Sequence, residues 1–198
     1  ITDRFEYFES ASRRPEALPA ATRIRPAFFC SGCPHNTGTR LPDGSVAISA
    51  VGCHGLAAFI PERRTMMPMP MGGDGMPWVA AGPFVDMPHI FQNMGDGTYA
   101  HSGILSIRAA VAARSRMTFK ILYNDAVAMT GGQPVEGAPT PIEIVRQLLA
   151  ERVAPVVIVT DEPAQFTGQD APKIIDLPEA AAINPPKQTE QGDPATAA

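Results

Sequence analysis

Cysteine, tryptophan and histidine are scarce in this chain, at three, one and four residues in 198. The three cysteines, Cys30, Cys33 and Cys53, are an odd number and make a poor disulfide framework, so a reducing, cytoplasmic setting is expected. There are 16 Lys and Arg against 20 Asp and Glu, with no basic run, which argues against nucleic acid as a partner. No apolar stretch approaches the ~20 residues of a membrane-spanning helix, and no signal-peptide pattern opens the chain. A membrane partner is therefore not expected. The chain begins at Ile1 rather than at methionine, as a fragment of a longer protein would. Internal repeats are also lacking.

Apolar residues and proline are plentiful. Apolar residues make up 44%, and the length suits one domain with a sizeable core. The 21 prolines are about twice the usual share and concentrate in loops and near the end. Residues 1–26 read as a lead-in helix and linker, residues 27–163 as the folded domain, and residues 164–198 as a largely irregular Pro/Ala-rich tail.

Within the domain, Val46 to Val51 is a short apolar run with the character of a buried parallel strand. Residues 61–83, rich in Met, Pro and Gly and without period, read as a long loop. His89 to Met94 is a strand running into Gly95-Asp96-Gly97. Ile104, Leu105, Ile107 and Val111 recur at helical spacing over 101–114, and Met117 to Tyr123 is the next buried strand. Thr140-Pro141-Ile142-Glu143 is a capping box that starts a helix running to about residue 152. Pro155 to Thr160 reads as a third buried strand, and a short one is expected at 173–177. This alternation predicts an α/β fold, a doubly wound and mainly parallel sheet with helices on both faces.

Ligands of such sheets sit beyond the carboxyl ends of the strands. One end is marked by Gly95-Asp96-Gly97, a tight turn carrying a hard oxygen ligand. The helix beginning near Tyr99 would point its amides at the same place, favouring an anion such as a diphosphate. The next end is marked by Asn124-Asp125. Residues 98–123 intervene, enough for one helix and one strand to bring the chain back beside the first end. Asp96, Asn124, a backbone carbonyl and diphosphate oxygens would complete the octahedral all-oxygen shell that Mg²⁺ prefers. Read blandly, Gly-Asp-Gly is a turn and Asn124 a loop residue; the pairing of both at strand ends favours the cofactor reading.

This spacing resembles the signature of thiamine diphosphate (ThDP) enzymes, whose third protein ligand is the carbonyl two residues past the asparagine, here Ala126. Longer strings narrow the resemblance: Phe29-Cys-Ser-Gly-Cys-Pro-His-Asn-Thr37, Val51-Gly-Cys-His54, Met71-Gly-Gly-Asp-Gly75, Phe91-Gln-Asn-Met-Gly-Asp-Gly-Thr-Tyr99, His101-Ser-Gly103 and Ile121 through Thr130-Gly-Gly-Gln133. They are similar to the C-terminal ThDP module of indolepyruvate ferredoxin oxidoreductases, in the 2-oxoacid:acceptor group. Asp74 and Gly38 depart from the family pattern, which has glutamate and serine there.

The resemblance implies a ThDP-binding fold and contacts to the cofactor from Cys33, Gly52, Cys53, His54, Gly95, Asp96, Gly97, Thr98, Tyr99, Asn124, Ala126, Thr130 and Gly131. It implies oxidative decarboxylation of an aryl 2-oxoacid, with coenzyme A and ferredoxin as partners. A homologous pyrimidine-binding module, in another chain or a missing segment, would supply the activating carboxylate within an oligomer. A ThDP module of a non-oxidative decarboxylase or ligase, and a non-enzymatic zinc-binding domain, are the alternatives.

Cys30, Cys33 and Cys53 admit three readings. They could ligate a [4Fe–4S] cluster with an external fourth ligand, hold zinc with a histidine, or be ordinary residues of two cofactor-contacting turns. His35, His54 and His101 are candidates for cofactor or substrate contact and proton transfer, whereas His89 reads as structural. Met66, Met67, Met69, Met71 and Met76 are candidates for an adaptable apolar wall, and Trp78, Phe84 and Met129 for facing an aromatic substrate.

Overall fold

The computed structural model describes residues 2–4, 6, 7, 26–166, 168 and 173–176. Residues 2–4, 6 and 7 are helical. The rest of the expected lead-in, and the tail apart from residues 164–166, 168 and 173–176, lie outside the described residues.

Four parallel strands form the central sheet: β1 (Ala47–Ala50), β2 (Thr65–Met69), β3 (Ile90–Gly95) and β4 (Met117–Leu122), in the order β2-β1-β3-β4. The chain leaves β1 for the β2 edge, then returns to lay β3 on the other side of β1. The fold is thus α/β and doubly wound, with its topological switch between β1 and β3.

The alternation of side chains along β3 and β4 divides the sheet into two faces. Ile90, Met94, Met117, Phe119 and Ile121 belong to one face, which buries the apolar sides of three helices. These are α2 (Met76–Ala81), which follows β2, α4 (Ile104–Ala112) and α5 (Pro141–Ala150). Ile107, Ile144 and Leu148 meet Met94 and Tyr99 there, while Trp78 meets Ile48 and Ile90. Phe91, Asn93, Lys120 and Leu122 belong to the opposite face. The short helix α1 (Pro34–Gly38) lies against it, because Gly38 leaves no room for a Cβ beside the Leu122 side chain.

The capping box of α5 forms as the sequence predicts, with Thr140 Oγ1 accepting from Glu143 N and Glu143 Oε2 accepting from Thr140 N. Two readings need correction. Residues 61–83 are not a loop, since they contain β2 and α2. Among the described residues β2 is an edge strand that pairs only with β1, which is why it tolerates Pro68 and shows no hydrophobic period. The strand expected at 155–160, β5 (Val157–Thr160), is also not buried in the main sheet. It pairs in parallel with β6 (Lys173–Asp176) in a separate two-stranded sheet, leaving Val157 and Val159 exposed. No helix among the described residues is long and apolar enough to cross a membrane.

Candidate functional site at the sheet switch point

β3 ends at Gly95 and turns directly into helical backbone. A three-residue α3 (Asp96–Thr98) continues through a π-helical turn, Tyr99–Gly103, into α4. The helix therefore starts at Asp96, earlier than its apolar spacing predicts. The π turn ends at Gly103, which packs so closely that a Cβ there would lie 2.4 Å from Met94 Sδ. Such turns inside helices recur at functional sites.

Asp96 is 4% exposed and tied to three backbone amides. Its Oδ1 accepts from Gly97 N at 2.8 Å, and its Oδ2 accepts from Asn124 N at 3.0 Å and Asp125 N at 2.7 Å. Asp125 adopts a left-handed conformation (φ 53°) in the turn that makes this possible. The ends of β3 and β4 are thus joined through one carboxylate.

The Asn124 side-chain amide faces Asp96 Oδ1 at 3.3 Å and the Ala126 carbonyl at 3.0 Å. Turned nitrogen inward, the amide donates to both oxygens. Turned oxygen inward, it would complete a triangle of oxygens, 3.3 Å from Asp96 Oδ1 and 3.0 Å from the Ala126 carbonyl. Adjacent oxygens of an octahedral Mg²⁺ shell, with bonds of ~2.1 Å, lie about 3 Å apart. The donor set fits a small divalent cation, and a bound cation would select the oxygen-inward amide.

The switch point brings the end of β1 to the same place. Thr98 Oγ1 donates to the Val51 carbonyl at 3.4 Å, and the His54 ring lies against Gly95. Gly52 takes φ 148° with His54 Nε2 3.0 Å from where a Cβ would stand, so a side chain there would be strained and crowded. Cys53 and His54 open a 3-10 turn over Cys53–Phe59. His54 is 2% exposed, and neither ring nitrogen has a hydrogen-bond partner. Burial, followed by the neighbouring His35, lowers its pKa to about 4. His35 is buried on α1, near enough to Asp96 and the Tyr123 backbone for both to favour its protonation, yet burial outweighs them and lowers its pKa.

Cys33 precedes α1, and its backbone amide donates to the Cys30 carbonyl at 3.1 Å. Burial raises the Cys53 pKa, and the Cys33 and Cys30 charges raise it further, so the three thiols lie within electrostatic reach of one another. All three are free thiols, Cys30 being exposed. Among the described residues, no three His, Cys, Asp or Glu side chains are arranged around a metal position.

The loop after β4 closes over the turn, with Val127 and Val135 methyls 3.9 and 3.8 Å from where a Gly97 Cβ would be. Thr130 and Gly131 are exposed on this loop, Thr130 Oγ1 accepting from Gln133 Nε2 at 2.7 Å. Other candidates lie apart from the oxygen triangle. His101 is exposed and hydrogen-bonded to Ser102 Oγ at 2.8 Å. The Tyr99 side chain is in the core, where its hydroxyl donates to Gln147 Oε1 at 2.7 Å. Trp78 is a core residue beside Ile90 and Met117, at the amino ends of their strands, and Phe84 is 86% exposed. A cavity of about 390 Å³ at that same end is lined by Trp78, Val85, Met87 and Arg116. The methionines do not form one wall: Met69 packs toward Trp78 and Ile48, while Met66 and Met71 are exposed. His89 is structural, paired with Thr118 Oγ1 and stacked edge-on with Phe91.

Asn93 was not among the residues singled out by sequence. It is fully buried on the His54 face, and both polar atoms of its amide lack partners. The signal was present in the adjacent amides Gln92-Asn93 inside an otherwise apolar strand.

No family model matches the chain. Among curated proteins it is similar to indolepyruvate oxidoreductase subunit IorA of Thermococcus kodakarensis, 30% identical over 166 residues, covering 74% of this chain and 26% of that protein. The IorA of Methanothermobacter marburgensis is 32% identical over 167 residues, covering 70% of this chain and 26% of the relative. The Pyrococcus abyssi IorA is 27% identical with the same coverage as the Thermococcus protein. The chain spans about a quarter of the length of these relatives. Over that span, the chain belongs to the indolepyruvate oxidoreductase IorA family.

Proposed function

We propose that this chain is the ThDP- and Mg²⁺-binding module of an oxidoreductase that converts an aryl 2-oxoacid of the indolepyruvate kind to its acyl-CoA. Ferredoxin is the electron acceptor. The observation that supports this reading is the convergence of the Asp96 carboxylate, the Asn124 side-chain amide and the Ala126 carbonyl at the sheet switch point, in a chain related to IorA.

ThDP, when bound, supplies the nucleophilic carbon and electron sink that decarboxylation of a 2-oxoacid needs. Asp96, Asn124 and the Ala126 carbonyl would hold the Mg²⁺, which would neutralise the diphosphate. Gly97 leaves the backbone open beneath the Val127–Val135 loop, and the amides at the start of the helix favour an anion. His54, buried and neutral at pH 7, offers an imidazole that can accept or pass a proton without carrying a standing charge. Cys30, Cys33 and Cys53, with a ligand from outside the described residues, are the candidates for a [4Fe–4S] cluster.

The carboxylate that activates the aminopyrimidine comes from a homologous module in another chain or segment, so the chain alone is inactive. Calorimetric titration of ThDP with and without Mg²⁺ tests the core of this reading. Mg²⁺-dependent binding that disappears in Asp96→Ala is expected; equal affinity in the variant refutes it. Iron analysis after anaerobic purification with partner chains, followed by a 2-oxoacid screen, tests the oxidative half.

A further inference from the structure

A second concentration of charge lies on the α1 face of the sheet. Lys120 Nζ donates to the Gly38 carbonyl at 3.1 Å and the Arg40 carbonyl at 2.6 Å, and stands 4.9 Å from the centroid of the Phe91 ring. Arg63 Nη2 donates to Asn36 Oδ1 at 2.6 Å, but its buried Nη1 has no acceptor. Arg40 and Arg63 line a cavity of about 340 Å³ with Leu41, Ile60 and Glu62. Glu62 pairs with neither arginine, since the ion pair among the described residues is Arg108–Glu151. The cations also act on one another. Burial, then Arg40, lowers the Arg63 pKa, while burial, then Arg63, brings Lys120 down to about 8.

Two guanidiniums share the cavity wall with one carboxylate, and leaving a guanidinium N–H buried without an acceptor among the described residues is costly. That cost falls if an oxyanion sits between the arginines. The planar guanidinium fork suits the paired oxygens of phosphate. The orphan N–H lies below the surface, and Glu62, the one carboxylate on the wall, is outnumbered by the two guanidiniums. We propose that the cavity between Arg40 and Arg63 is an oxyanion site for a phosphate group, either free or carried by a larger molecule.

Thermal melts of the full chain, without ThDP or Mg²⁺, test this with potassium phosphate titrated against potassium chloride at constant ionic strength. Phosphate raises Tm with the logarithm of its concentration, as a ligand of the native state does. Arg63→Met weakens the response by roughly tenfold or more. Asn36→Ala, which removes the same side-chain hydrogen bond but keeps the cation, retains it. Asp96→Ala also retains it, which separates this site from the cofactor end. Adenosine 3′,5′-bisphosphate tells the sources apart: tighter binding than inorganic phosphate marks a carried phosphate, and equal or weaker binding a free one. An unchanged response in Arg63→Met, its loss in Asp96→Ala, or no response to either probe overturns the proposal.

Discussion

Asp96 Oδ2 accepts the backbone amide of Asp125 at 2.7 Å, so a carboxylate at the end of β3 fixes the path of the chain leaving β4. The same carboxylate presents Oδ1 to the Asn124 amide. One side chain thus serves two purposes: Oδ2 builds the turn after β4, while Oδ1, which also accepts from Gly97 N, faces the place proposed above for a cation. This division lets the structural and binding roles be separated by mutation.

Asn124→Ala keeps every backbone bond to Asp96 but removes the amide whose oxygen is proposed as a ligand. It should weaken Mg²⁺-dependent ThDP binding at least tenfold with a Tm close to the parent. Asp96→Ala should abolish that binding and also destabilise the fold by about 1–3 kcal/mol, because amides now bound lose their acceptor. Calorimetry for binding and denaturant melts for stability check the contrast. If Asn124→Ala binds as tightly as the parent, its oxygen is not a ligand.

His54 makes the fold acid-sensitive within a definite window. Its folded pKa of about 4 lies below the ordinary 6.5, so the native state binds fewer protons than the unfolded chain between those values. Stability is full above about pH 6.5 and falls as pH drops toward 4, by on the order of 3 kcal/mol at the lower end. His35, also lowered by burial, acts in the same direction. Urea melts from pH 7 to pH 4 should show the loss, and His54→Gln should flatten part of it. A slope identical in the variant would remove His54 as its source.

Much of this site can be read from sequence because its chemistry is carried by short, contiguous strings at strand ends. Gly95-Asp96-Gly97 and Asn124-Asp125 announce themselves through glycine and polar residues that interrupt apolar runs. β2 is harder to see: an edge strand paired on one side can hold Pro68 and need not alternate, so no period marks it. The π turn is hidden for a different reason. It ends at a close approach between Gly103 and Met94, residues on different elements, and local helical spacing carries no trace of that contact. The exposure of β5 is likewise a property of its pairing with β6, since a short apolar run reads the same whether buried or not.

Tyr99 separates a cofactor role from a core role. Its hydroxyl donates to Gln147 on α5, and its pKa is pushed up to about 12 by burial and then by Glu151. Tyr99→Phe should cost about 1 kcal/mol of stability, leaving ThDP affinity within twofold of the parent. Loss of cofactor binding at unchanged stability would instead place the hydroxyl in the site.

Gly103→Ala tests whether the π turn sets the position of Asp96. The added methyl would lie 2.4 Å from Met94 Sδ and 3.1 Å from the Thr98 carbonyl. Met94 can move at a cost, but the Thr98 carbonyl belongs to the backbone that links Asp96 to α4. Overpacking of this kind costs about 1–3 kcal/mol, and relief by shifting the backbone would pull Thr98 and Asp96 out of register with Asn124. The expected result is a lower Tm together with weaker Mg²⁺-dependent ThDP binding. A Met94→Ala partner removes the sulfur clash but not the carbonyl clash. The double variant should therefore be less destabilised than the sum of the single changes, while binding stays weak. Recovery of full binding in the double variant would show that the side-chain clash alone displaces the site, and that the backbone at Thr98 does not transmit it.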